Sequence, residues 1–120
     1  MALRTVRDFK VPLDVWKFVD EWATEENFEI ISSGERSRVY RKVLGPLSPS
    51  AHVEIREKDG SVHLEAWMAN SGPVRALRLF KLPRELGVES NGTKALAVAR
   101  SVARDRINRL FVKLGQPLIS

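Results

Sequence analysis

The chain predicts an α+β fold, an antiparallel sheet of about four to five strands with an N-terminal helix and a long C-terminal helix on one face. Three patterns predict it. Residues 51–68 alternate apolar and polar on either side of Asp59-Gly60, as a tight β-hairpin does. Val15, Trp16, Val19, Trp22 and Ala23 recur at helical spacing near the start. Leu96, Ala99, Ala103, Ile107, Leu110 and Leu114 do so near the end. With 120 residues, 43% of them hydrophobic and 29% charged, the chain has the composition of one globular domain, residues 1–120, able to bury a core without staples.

In chain order, Leu3 to Val11 alternates as a short first strand. Pro12 suits the first turn of a helix from Leu13 to about Glu25, which Asn27 stops. Phe28 to Ser32 is extended and Gly34 breaks it. Arg36 to Leu44 alternates again, which places Val39 and Val43 on the core face and Arg36, Arg38, Tyr40 and Lys42 on the outer one. The prolines of Gly45-Pro46-Leu47-Ser48-Pro49-Ser50 make a loop. If Asp59-Gly60 is a two-residue turn, Val53 pairs with Ala66 and Ile55 with Leu64 on the core face. His52 then faces Trp67, Glu54 faces Glu65 and Arg56 faces His63 on the outer face. Asn70-Ser71-Gly72-Pro73 is a turn, Val74 to Leu82 a further core strand, and Arg84 to Gly92 a connection. Thr93 is the expected cap of a last helix ending at Leu114. Ala95, Val98, Val102 and Phe111 broaden its buried stripe, and Gly115 and Pro117 terminate it.

Charge is unevenly placed. Residues 1–89 hold fourteen Lys/Arg and fourteen Asp/Glu, so the formal +5 resides in residues 90–120, where Asp105 is the single acid. Residues 12–29 carry six acids against Lys17. A basic helix beside an acidic one on the same sheet face is expected to be neutralised there, with the alternative that Arg100, Arg104, Arg106, Arg109 and Lys113 contact nucleic acid.

Two helices on one face of a curved meander resemble the helix-grip domains of the START and Bet v 1 type. Those run from a first strand through helices and a meander to a long C-terminal helix over the sheet. Ala103-Arg104, Asn108, Leu110 and the tail Leu114-Gly115-Gln116-Pro117-Leu118-Ile119 are similar to the ending of uncharacterised small prokaryotic domains. That resemblance implies a shared fold and carries no activity.

Without cysteine the chain has no disulfide, thiolate metal site or cysteine nucleophile. It has no apolar run near the roughly 20 residues of a membrane span, and no signal-peptide core follows Met1, so the cytoplasm is the expected compartment. Phosphate loops and GxSxG elbows are absent as motifs. On the outer sheet face, His52, Glu54, His63 and Glu65 are metal-ligand types without a ligand spacing, and no cofactor is expected. Tyr40 and Trp67 among arginines suggest a stacking platform for single strands. Trp16, Phe18, Trp22, Met68, Phe80 and Phe111 would line a small apolar cavity, or simply form the core. The favoured reading is a non-enzymatic binding or interaction domain whose partner is another protein or a second copy. Its contact surface would be a sheet edge or the outer face with Tyr40, His52, His63 and Trp67. Nucleic-acid binding through the last helix and a small apolar ligand are the alternatives.

Overall fold

The computed structural model describes residues 4–12, 14–45, 49–69, 85–90 and 96–120. Its elements are β1 (Thr5–Lys10), α1 (Val15–Glu26), β2 (Glu29–Ser33), β3 (Ser37–Val43), β4 (Ser50–Lys58), β5 (Ser61–Ala69), β6 (Glu85–Leu86) and α2 (Ala97–Lys113). The strands form one antiparallel sheet in the order β1-β5-β4-β3-β2, and β6 also pairs with β5. This is the α+β architecture that the periodicities predict. The expected strand over Val74–Leu82, the turn at 70–73, Phe80 and the Thr93 cap lie outside the described residues. One expectation for the connection changes. Glu85 and Leu86 form a strand, because Met68 and Ala69 run past the end of β1 and their backbone groups find partners in β6.

The hairpin has the anticipated register throughout. His52 lies opposite Trp67, Val53 opposite Ala66, Glu54 opposite Glu65, Ile55 opposite Leu64 and Arg56 opposite His63. Asp59 and Gly60 both take positive φ, 52° and 83°, the two-residue turn whose twist matches that of its strands. Val53, Ile55, Val62, Leu64 and Ala66 are buried.

The faces of β3 are the reverse of the expected ones. Tyr40 is opposite Val53 and fully buried, whereas Val43 is 60% exposed and Val39 stands opposite Glu54 on the outer face. The larger ring wins the interior site because α1 offers it an aromatic partner. Trp22 meets Tyr40 edge-on at 5.9 Å and stacks on Phe28 at 4.5 Å. The phenol keeps a polar contact through Arg38 Nη1, which donates to its oxygen at 3.2 Å.

Helix α1 begins two residues later than Pro12 suggests. Asp14 is the N-cap, its carboxylate accepting from the Trp16 N–H at 3.1 Å, and Pro12 precedes the helix instead of occupying its first turn. Asn27 ends it in the left-handed region, while the Phe28 N–H returns to the Ala23 carbonyl at 2.9 Å. The buried side of α1 is Val15, Val19, Trp22, Ala23 and Glu26. Trp22 Nε1 donates to the Arg106 carbonyl at 2.8 Å and so ties the two helices together.

Helix α2 buries Arg100, Ala103, Ile107, Leu110 and Phe111, and its end has the same backbone closure at Gly115 (φ 66°) and Gln116. Val98 and Val102, expected in its buried stripe, are 80% and 40% exposed. Their place is taken by Arg100, whose long stem covers apolar surface while its head finds carbonyls. Asn108 exchanges two hydrogen bonds with the backbone of Ile119, which fixes the C-terminal tail and buries Ile119. A single core joins the inner faces of β3, β4 and β5 to both helices.

Candidate functional site

The five cations of α2 are all engaged inside the fold. Arg106 and Arg109 converge on one Glu26 oxygen at 3.0 and 2.6 Å. Lys113 reaches Glu25 at 2.6 Å and Glu21 at 3.8 Å. Burial alone would push the Glu26 carboxyl up, but the two guanidinium hydrogen bonds outweigh it and hold the group below its ordinary range. Arg104 donates to the Val88 carbonyl at 3.0 Å, and Arg100 donates to the carbonyls of Gly87 and Glu89. The opposite charges of α1 and α2 thus meet as their composition predicts. Sequence periodicity hints at Glu26, which occupies the next place in the Val15, Val19, Trp22 stripe.

The outer sheet face divides the other candidates. His52 and Trp67 lie there as a cross-strand pair with rings stacked at 5.3 Å, outside the core. Trp67 is nonetheless only 6% exposed, because Arg4 lies 3.6 Å over its ring. Arg4 is itself held by Glu85 at 2.9 Å, Glu65 at 3.1 Å and Glu54 at 3.5 Å. Sequence reading missed Arg4, since its partners come from three distant strands. Burial pushes the His52 imidazole down, and Arg41 adds to the effect. His63 is the opposite case. Glu65 at 2.8 Å and Asp8 at 2.6 Å hold both its ring nitrogens and raise its proton affinity.

Two groupings that the sequence raises as candidates do not assemble among the described residues. Tyr40 and Trp67 are on opposite faces of the sheet, with Arg38 and Lys42 on the Tyr40 side, so no platform of two aromatics exists among the described residues. Of the four ligand-type residues, Glu54 and Glu65 are drawn to Arg4, and His63 is drawn to Asp8 and Glu65. Among the described residues no three His, Cys, Asp or Glu side chains are grouped to hold a metal ion. Trp22, Met68 and Phe111 pack into the core, and Trp16 and Phe18 flank it.

Among the described residues one free surface is an edge. All five residues of β2 are exposed, including Ile30 at 51% and Ile31 at 44%, and β2 ends the strand order. A bulge between Ile30 and Ser32 leaves Ile31 out of the ladder with β3. No helix among the described residues is long and apolar enough to cross a membrane. No protein-family model, curated protein or solved structure matches the chain.

Proposed function

We propose that the chain is a non-enzymatic interaction domain that binds a second copy of itself through the edge strand β2. The observation that carries this reading is an end strand exposed at all five positions with two adjacent isoleucines. Natural sheets blunt such edges with charges, prolines or bulges. From Ile30 to Ser33 this one has a bulge and neither a charge nor a proline. Antiparallel pairing about Ile31 sets each Ile31 against its twin and each Glu29 against a Ser33, so no like charges oppose each other. The helices support the choice over nucleic acid, because the α2 cations are matched within the fold.

A five-residue edge is small beside the roughly 1,200–2,000 Å² of a stable interface, so association is weak and concentration-dependent. Light scattering over a concentration series tests it. The mass rises toward that of two copies in the wild type and stays at one copy in Ile31→Lys, a substitution at an exposed position outside the core. A wild type that stays at one copy throughout, or an equal rise in both proteins, refutes the edge.

A further inference from the structure

The outer sheet face has a second feature, at the closed end of the hairpin. An open groove of about 800 Å³ lies there, formed by β1, the start of β3, β4 and β5. Its cations are Lys10, Arg36, Arg56 and Lys58, joined by His63, and its acids are Asp8, Glu54 and Glu57. Each acid already has a cationic partner: Asp8 has His63, Glu54 has Arg56 at 3.0 Å and Arg4, and Glu57 has Arg36 at 3.9 Å. Lys10 and Lys58 have no ion pair among the described residues. They are not scattered. Ser61 is the register partner of Lys10 on one side and of Lys58 on the other, so the three side chains share one row of the outer face. Adjacent strands lie about 4.8 Å apart, which puts the two lysine backbones roughly 10 Å from each other with the hydroxyl between them.

From this row we infer that the groove binds a phosphate monoester, its phosphate seated between Lys10 and Lys58 on Ser61. The three donors come from three neighbouring strands and match the three terminal oxygens of a phosphate better than the two of a carboxylate. Arg36 and Arg56 also line the groove and are matched by Glu57 and Glu54, so the positive field at the row comes from Lys10 and Lys58. The rigid sheet fixes the lysine stems, and the open mouth admits the rest of the ligand.

The test uses the full chain with two probes, glycerol 3-phosphate in titration calorimetry and phosphatidylcholine vesicles containing phosphatidic acid in co-sedimentation. The wild type binds in at least one arm. Binding in the first assigns a soluble monoester, and binding confined to the second assigns a lipid headgroup. Replacing both lysines, Lys10→Ala with Lys58→Ala, weakens binding about tenfold or more, because each removes a charge-assisted hydrogen bond. Lys17→Ala, which deletes an exposed cation of α1 instead, leaves it unchanged. Both groove lysines are exposed, so their removal leaves the core intact. Absence of binding in both arms, or the same loss in Lys17→Ala as in the double variant, overturns the site.

Discussion

Glu26 shows what a single residue decides in this fold. It is an acid 7% exposed on the buried side of α1, tolerable only because two guanidinium groups of α2 converge on one of its oxygens. Glu26→Gln keeps the shape and removes the charge, and it should cost about 1–3 kcal/mol in urea unfolding, with Arg106 and Arg109 free to turn to water. His63 makes a prediction about pH. Its folded-state proton affinity is raised by Glu65 and then Asp8, so the protonated form favours the native state. That contribution is complete below the unfolded value of about 6.5 and is lost as pH rises through the higher folded value. Melting curves of wild type and His63→Gln should therefore differ most near about pH 5.5 and converge on the alkaline side. The ring is about a third exposed, which keeps the difference to at most about 1 kcal/mol. A gap that widens with rising pH would show that the carboxylates do not hold the imidazolium.

Elements differ in how plainly their sequence states them. The hairpin is the clearest, since its turn, register and buried face all follow from Asp59-Gly60 and period-two alternation. Gly60→Ala probes it. The position has φ 83°, and an added Cβ would lie 3.3 Å from the Val11 carbonyl that closes over the turn. Thermal or urea unfolding should register a loss of about 1–2 kcal/mol, the cost of left-handed backbone for an L-residue. Strand β3 is where alternation misleads. Val39, Tyr40, Arg41, Lys42 and Val43 fit either face by polarity, and Trp22 of α1, a partner eighteen residues away, settles the choice. Helix α2 misleads in a related way. Its periodicity is right, but Arg100 displaces Val98 and Val102 from the interior because carbonyls of residues 87 and 89 wait for its head. A polar residue that brings its own tertiary partners is not visible in a one-dimensional pattern. The same holds for the candidate surfaces. The α1–α2 charge match was legible from composition, whereas the Lys10–Ser61–Lys58 row needs the register of three strands.

At the scale of the whole molecule, a basic chain proves to be internally compensated where its charge is most concentrated. Among the described residues the α2 cations are engaged by α1 carboxylates and by backbone carbonyls, while Lys10 and Lys58 at the hairpin end of the outer face have no ion pair. Exposed members of the α1–α2 set weaken with ionic strength, and Glu26, buried, does not weaken to the same degree. What the interior does not satisfy is the edge of the sheet. Among the described residues β3 is the one strand paired with β2, and Ile30 and Ile31 are uncovered, so pairing with a second copy would close its other edge. Amide hydrogen exchange of Ile30 to Ser33, followed at low and at high protein concentration, tests this most directly. Edge pairing predicts that alternate amides of β2 slow as concentration rises while those of the central strand β4 do not change. Exchange at β2 that is equally fast at every concentration would contradict it.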